Sequence, residues 1–246
     1  YANTGFTQWG ASGLAAVWAE ENTRESIFNA FRRKETFATT GTRIAVRFFG
    51  GYDLSSIDLN SESIVSEAYQ KGVTMGSDLL NDENKNPEFL VWAQRDKNGA
   101  PLQRIQIIKG WIDANSGRPE EKVFDVACSD GLQPDALTNR CPDNGARVNI
   151  NDCSITSNVG SSELKTIWKD PEFVPSDKTF YYVRVLENPT CRWSTWDAIK
   201  AGYKPREGLH ETIQERAWSS PIWYIPEQSD VEVIPLGGTI QLRNID

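Results

Sequence analysis

The sequence is poor in the residues and patterns from which common catalytic centres are built. It contains one histidine, His210, in a polar segment where we expect a surface residue. A metal centre with several histidine ligands therefore cannot be assembled from this chain alone. A glycine-rich phosphate-binding loop is absent as well. The segment around Ser12 lacks the second glycine of a nucleophile elbow, because Leu14 occupies that position.

Long apolar runs are lacking, and acidic residues outnumber basic ones, 34 to 26. No stretch approaches the roughly 18 to 20 uninterrupted apolar residues that a membrane-spanning helix needs. The formal net charge is -8, which argues against a nucleic-acid partner because phosphate contacts require a basic surface. The 246 residues, 39% of them hydrophobic and nine of them tryptophan, suffice for the core of one or two domains.

Four cysteines are few, but their even number suggests two disulfides. Cys128 and Cys141 bracket a polar loop, and Cys153 and Cys191 lie beside strand-like segments. We therefore predict the pairs Cys128–Cys141 and Cys153–Cys191. Four reduced, buried thiols are the alternative. A zinc site is a weaker third option, since zinc ligands usually come in closely spaced pairs and the sequence has no C-x-x-C.

The stretch from Gly13 to Gly51 predicts one helix followed by one long strand. Asn22 can cap the helix, and Glu25 occupies the capping-box position three residues later. From Thr36 the residues favour a strand that alternates until the Gly50-Gly51 stop. One face of the predicted helix is apolar and consists of Ile27, Phe28, Ala30 and Phe31.

The same stretch carries a family resemblance. The segments GLAAVWAEENTRESIFNAFRRKETFATTGTRIAVRFFGG, LVWAQRDKNGAPLQRIQIIKGWID from Leu90, FYYVRVLENPTCRWSTWDA from Phe180 and TIQERAWSSPIWY from Thr212 resemble the bacterial "domain of unknown function 3604" family. That family in turn resembles PHP-type and CehA/McbA-like metallohydrolases, whose metal ligands lie on a barrel. The resemblance covers nearly the whole chain and implies an exported protein, periplasmic or secreted, which also favours the two disulfides.

In the resembled family the metal ligands lie upstream of the stretch with which this chain begins. The resemblance therefore implies a C-terminal fragment without catalytic or metal-binding residues, whose partner is the upstream, divalent-metal-binding part of its own polypeptide. We expect residues 1–41 to be the tail of the barrel and residues 42–246 to form a β-sandwich domain. Gln8 and Trp9 could instead belong to a frayed terminus. Position alone gives six near-site candidates, namely Gln8, Trp9, Glu20, Glu21, Arg24 and Thr40.

The rest of the chain reads as a mainly β, antiparallel sandwich with a few short helices. Asn98-Gly99 predicts a tight hairpin between FLVWAQRD and PLQRIQIIKGWID, because Asn-Gly accepts positive φ angles. Trp92, Ile105, Ile107 and Trp111 would then pack one sheet against the other. Further strands are predicted at 122–127, 147–155, 178–187 and 217–225, and helices at 162–168 and 195–201, the second closed by Gly202.

Arginines beside aromatic residues give the remaining functional signal. Such pairs can stack on sugars or bind anions, although indole rings are more often buried with arginine stems packed over them. The binding candidates are Arg192, Trp193, Trp196, Arg216 and Trp218.

Two functional hypotheses follow from the sequence. The first is the C-terminal part of a PHP-like hydrolase of phosphate or other esters, which predicts an exposed apolar face on the first helix. The second is an independent module that binds carbohydrate or a partner protein, which predicts a covered first helix and exposed, coplanar tryptophans. A complete enzyme that uses only carboxylates, such as Glu20, Glu21, Glu120 and Glu121, is a third and weaker possibility.

Overall fold

The computed structural model describes residues 8–82, 85–113 and 116–226, together with the backbone of residues 231–236 and 239–244. Two β-sheets face each other across a shared hydrophobic core, accompanied in these ranges by three short α-helices. Strand pairs are antiparallel except where β5 (Asp78–Leu80) runs parallel to β14 (Ile222–Ile225). The predicted mainly β, antiparallel sandwich is therefore confirmed.

The larger sheet has eight strands and the smaller sheet has four. Besides β5 and β14, the larger sheet contains β1 (Leu14–Val17), β2 (Thr36–Thr39), β7 (Leu102–Ile112), β8 (Pro119–Cys128), β10 (Thr179–Glu187) and β13 (Arg216–Ser219). The smaller sheet contains β3 (Ala45–Gly51), β4 (Gly72–Thr74), β6 (Glu88–Gln94) and β9 (Glu163–Lys169). The helices are α1 (Arg24–Arg32), α2 (Ile64–Lys71) and α3 (Trp193–Ala201). Two small ladders join β11 (Thr190–Cys191) to β12 (Thr212–Ile213) and β15 (Val231–Leu236) to β16 (Thr239–Asn244).

Strand β10 organises the larger sheet. It pairs with β7 along one edge, and β13 and β14 share its other edge. Beyond β13 the sheet continues to β2 and β1, so elements before residue 41 join the same sheet as the rest of the sandwich. The boundary at residue 41 stays a prediction.

The main core lies between the two sheets. Tyr181, Val183 and Val185 alternate along β10 and point into it, where they meet Phe89 and Val91 of β6. Burying each such side chain stabilises the fold by about 1.5 to 3 kcal/mol. On the opposite face of the smaller sheet, a second cluster is covered by α2 and by the turn before it. Its buried members are Phe49, Leu54, Ile57, Ile64, Ala68 and Leu90.

Both predicted disulfides are confirmed. Cys128 bonds to Cys141 and Cys153 bonds to Cys191, each with Cα atoms 5.6 Å apart. The first bridge closes the 129–140 segment against the end of β8, and the second joins Cys153 to β11.

The predicted helix forms, but its cap was misplaced. Thr23, not Asn22, has the extended backbone of an N-cap, and its Oγ1 accepts a hydrogen bond from the Ser26 amide at 3.2 Å. The residues Phe28 and Phe31 are 60% and 52% exposed. Of the predicted apolar face, Ala30 is buried.

The predicted long strand from Thr36 to Gly51 was wrong. The chain turns at residues 40–44, so β2 enters the larger sheet and β3 enters the smaller one. The residues on both sides of the turn favour strands, so the sequence pattern does not show that the chain changes sheet there. Gly50 and Gly51 belong to β3, where they pair with β4 and β6.

The predicted hairpin between β6 and β7 was also wrong, since these strands lie in different sheets. Asp96 shapes the connection instead, because its carboxylate accepts hydrogen bonds from the amides of Asn98 and Arg43, both at 2.9 Å. Neither Asn98 nor Gly99 adopts positive φ. Ile105 and Ile107 do pack between the sheets, whereas Trp92 packs against the second cluster and Trp111 remains half-buried outside both.

Other segments divide between confirmed and wrong predictions. The strands at 122–127 and 178–187 are confirmed in β8 and β10, and the helix at 195–201 is confirmed with Gly202 at φ +72° as its C-cap. The segment 162–168 is not a helix but strand β9, because Leu164 enters the core and all seven residues of β9 pair with β6. The segment 147–155 retains a single bridge between Val148 and Ile155, and 217–225 is interrupted between β13 and β14.

No helix in the described part of the chain is long and apolar enough to cross a membrane.

Candidate functional site

A groove of about 780 Å³ opens at the edge of the larger sheet, where the start of β7, the loop 141–147 and the segment 189–216 meet. We call it the arginine groove. Among the described residues that line it, the one carboxylate is Asp143. Four arginines of the described part of the chain line the groove, namely Arg104, Arg147, Arg192 and Arg216.

Local structure explains how the arginines converge. Arg104 lies in β7 and Arg216 begins β13, on opposite sides of β10. Arg192 follows Cys191, and its backbone provides the N-cap of α3. Arg147 is brought in by the loop that starts at the bridged Cys141.

Arg104 and Arg147 have carboxylate partners. Arg104 Nε lies 3.6 Å from Asp125, which is almost completely buried beneath the groove and also contacts Arg140 at 3.5 Å. Burial lowers the pKa of Arg104, and the Asp125 charge opposes that shift. Arg147 pairs with Asp143 at 2.6 Å on the surface, and its hydrogen bond lowers the pKa of Asp143 to about 2.

The other two arginines lie beside tryptophan rings. The guanidinium carbon of Arg192 is 5.2 Å from the ring centre of Trp193, and that of Arg216 is 5.9 Å from the ring centre of Trp218. Such contacts orient the flat guanidinium group while keeping its charge. Among the described residues, no carboxylate lies within 4.0 Å of the Arg216 guanidinium.

A neutral polar surface completes the groove. Gln214 donates hydrogen bonds to Gln103 at 2.9 Å and to the Glu187 carbonyl at 3.1 Å, which fixes both amide groups. His210 and Thr212 line the same groove. His210 is exposed, as the sequence predicted, but it lies in the groove rather than on an unrelated part of the surface.

Comparison with known proteins supplies the family. A family model described as "Protein of unknown function (DUF3604)" matches residues 1–226. The chain belongs to this family. No curated protein and no solved structure matches it.

Two near-site candidates of this DUF3604 chain contact the arginines of the groove. The Trp9 carbonyl accepts hydrogen bonds from Arg192 at 2.6 Å and from the Trp193 indole at 3.1 Å. Thr40 Oγ1 accepts one from the Arg216 amide at 3.0 Å. Gln8 is exposed next to Trp9. Trp9 therefore reaches the groove through its backbone carbonyl and Thr40 through its side-chain hydroxyl. That the six candidates lie near an upstream metal site stays a prediction.

The other near-site candidates lie elsewhere, at the start of α1. Glu20 forms an ion pair with Arg33 at 3.0 Å and accepts a hydrogen bond from Ser26 at 2.9 Å. Glu21 and Arg24 are exposed. Glu20 lines a second cavity of about 540 Å³, which we call the α1 cleft.

The α1 cleft has balanced charges, unlike the arginine groove. Arg33 pairs with both Glu20 and the buried Glu35. Tyr69 also donates a hydrogen bond to Glu35, and burial followed by this contact raises the pKa of Tyr69. The second arginine, Arg47, stacks at 3.6 Å over Trp18. The described lining of the cleft therefore contains two arginines and two glutamates, and Arg33 pairs with both glutamates.

The tryptophan candidates differ in exposure. Trp193 and Trp218 are half-buried beside their arginines, whereas Trp196 is 40% exposed and has Lys200 5.7 Å from its ring centre. The described residues contain no group of three or more histidine, cysteine, aspartate or glutamate side chains arranged to hold a metal ion.

Sequence reasoning identified Arg192 and Arg216 but missed Arg104, Arg147 and the role of His210 in the lining. The two found residues stand next to or near tryptophans in the sequence, which gives a local signal. The missed residues come from β7 and from two loops, and only the folded sheet brings them together. The cysteines were the available signal, since Cys141 lines the groove and Cys191 precedes Arg192.

Proposed function

We propose that this DUF3604 chain is the supporting part of a PHP-type, metal-dependent hydrolase. An upstream part of the same polypeptide would hold the divalent metal and the catalytic residues, and the reaction would be hydrolysis of a phosphate or another ester. The protein would work in the periplasm or outside the cell. The two disulfides support this location, because such bonds persist in oxidising environments.

The exposed face of α1 carries the proposal. Phe28 and Phe31 are three residues apart, so they lie on the same side of the helix, and more than half of each is exposed. Adjacent exposed phenylalanines are typical of an interface rather than of a free surface. An upstream domain packed on α1 would cover them, whereas an independent module would cover α1 with its own residues.

Elemental analysis tests where the metal resides. We expect roughly one to three equivalents of divalent transition metal in the polypeptide extended upstream to its natural start, and none in residues 1–246 alone. Hydrolysis of p-nitrophenyl phosphate and bis-p-nitrophenyl phosphate should be detected in the extended polypeptide, which holds the metal, and not in residues 1–246 alone. Stoichiometric metal in the short chain, or none in either, would contradict the proposal.

A matched pair of variants tests the interface on α1. Replacing both phenylalanines, Phe28→Gln with Phe31→Gln, should change the stability of the short chain by less than about 0.5 kcal/mol, since both are exposed. In the extended polypeptide the same change should cost at least about 2 kcal/mol, because buried apolar contacts are lost. Leu137→Gln, at a residue 93% exposed in a loop, serves as the control. Equal effects in both polypeptides would exclude α1 as the interface.

A second function, a non-catalytic module that binds carbohydrate or a partner protein, is favoured by the exposed rings of Trp196 and Trp223, 40% and 43% accessible. Exposed aromatic rings provide stacking surfaces for sugars. Calorimetric titration with neutral oligosaccharides tests it, and Trp196→Ala should abolish any binding that occurs there.

A further inference from the structure

The arginine groove concentrates positive charge on an acidic protein. Its described lining carries four arginines against one aspartate, although the whole chain has a net charge of -8. Asp125, which is not among the lining residues, is almost completely buried and pairs with both Arg104 and Arg140. A local excess of one charge, enclosed by low-dielectric walls, attracts ligands of the opposite charge.

Arg104 and Arg216 lie among other positive charges. Burial is the largest cause that lowers the pKa of Arg104, the charges of Arg140, Arg184 and Arg216 also lower it, and the charge of Asp125 opposes them. Among the described residues, Arg216 has no carboxylate within 4.0 Å. An arrangement of this kind does not stabilise the fold, but it gains free energy when an anion enters.

The groove is also held rigid. The Cys128–Cys141 bridge anchors one wall, the Cys153–Cys191 bridge anchors the residue before Arg192, and Trp193 and Trp218 orient two guanidinium groups. Preorganised donors lose little conformational entropy when a ligand binds. Guanidinium forks match the oxygen geometry of phosphate and sulfate groups, which they can bind through two hydrogen bonds.

The size and the neutral lining indicate what else the ligand contains. A volume of about 780 Å³ falls in the range that accommodates organic molecules of moderate size, far more than a bare oxyanion needs. Gln103, His210 and Gln214 offer hydrogen bonds to hydroxyl groups along the same surface. We propose that the arginine groove binds an organic phosphate or sulfate monoester with a polar, hydroxyl-rich body of the sugar type.

Calorimetric titration of residues 1–246 at low ionic strength tests the proposal with glucose 6-phosphate, glucose 6-sulfate, inorganic phosphate and glucose. We expect at least one ester to bind at least tenfold more tightly than inorganic phosphate, glucose not to bind, and the affinity to fall as salt is added. Comparison of the two esters identifies the preferred oxyanion. No binding of either ester, or equal affinity for inorganic phosphate, would overturn the proposal.

Single arginine variants locate the binding. Arg147→Gln changes an exposed loop residue, so the fold should persist, and Arg216→Gln changes the arginine beside Trp218. Each should weaken binding of the ester by about tenfold or more, as expected for a charged hydrogen bond. Arg32→Gln on α1, an exposed arginine that does not line the groove, is the matched control. An equal loss in the control would refute the groove as the site.

This proposal does not depend on the hydrolase function. Ester binding in the groove requires no metal, and metal binding upstream requires no ester in the groove. Elemental analysis and the titration therefore fail independently of each other.

Discussion

Glu187 is buried at the end of β10, where only 1% of it is exposed. Burial raises the pKa of Glu187 to about 7, and the charges of Glu215 and Asp96 add to the shift while the Ala100 amide opposes it. The folded protein therefore holds a proton on Glu187 at a pH where the unfolded chain has lost it. Its contribution to stability is fully present below about pH 4.5 and is lost as the pH rises to about 7.

The first prediction is that Glu187→Gln removes this pH dependence. The variant should be more stable than the parent at pH 8, by up to roughly 3 kcal/mol, because it carries no buried charge. Near pH 4.5 the two should be nearly equal. Urea unfolding at both pH values measures the difference, and Glu120→Gln on the exposed part of β8 is the control. A constant difference between variant and parent across this range would contradict the assigned pKa.

The second prediction concerns a buried ion pair. Lys109 Nζ lies 2.6 Å from Asp170, and their side chains are 5% and 0% exposed. Tyr181 also donates a hydrogen bond to Asp170 at 2.7 Å. Asp170→Asn should cost about 3 to 5 kcal/mol, because it leaves the Lys109 charge buried without its partner.

The surface pair between Lys122 and Glu172 provides the comparison for Asp170→Asn, since both of its members are partly exposed. Glu172→Gln should cost less than about 1 kcal/mol. Urea unfolding at pH 7 measures both variants. If both substitutions lower the free energy of unfolding by the same amount, burial does not make the Lys109–Asp170 pair more important for stability than a surface pair.

At the scale of elements, the two disulfides restrain loops of different length. Cys153 and Cys191 are separated by 38 positions, and Cys128 and Cys141 by 13. In the chain-entropy account, removing them as alanine pairs should cost about 4 and about 3 kcal/mol. Thermal unfolding of the two double variants tests the order, since the longer loop should give the larger loss. A reversed order would show that native contacts, not loop entropy, dominate.

Individual elements show how far local sequence patterns determine this fold. Strand β10 was predictable because Tyr181, Val183 and Val185 repeat at the period of two that a half-buried strand needs. The segment forming β9 was not, since ELKTIWK suits a helix as well as a strand and its pairing with β6 decides. The Asn-Gly turn signal identified a change of direction, but it carries no information on which sheet receives the next strand.

The candidate site was predictable to a similar degree. The arginines that stand near tryptophans in the sequence were found, because that pattern is local. Arg104 and Arg147 have no such neighbours. They reach the groove through the pairing of β7 with β10 and through the loop fixed by Cys141, and both contacts are formed between distant parts of the chain.

For the molecule as a whole, the oxidation state of the four cysteines tests the proposal that the protein is exported. Intact mass spectrometry should find the native chain lighter than its reduced form by about four hydrogen masses, as two disulfides require. Thiol labelling should fail before reduction and succeed at four positions after it. Four reactive thiols in the native protein would contradict both bridges and weaken the case for an oxidising compartment.

The connection at Asp96 has a consequence for how quickly the molecule can fold. Because β6 and β7 follow each other in the chain but enter different sheets, they cannot pair with each other. One edge of β6 pairs with β3 and one edge of β7 pairs with β8. The other edge of β6 must wait for β9, and the other edge of β7 must wait for β10. Proteins dominated by such distant pairings fold in milliseconds to seconds rather than microseconds. During synthesis, an edge of β6 therefore stays open until residues 163–169 have emerged, and a chaperone has that interval in which to act.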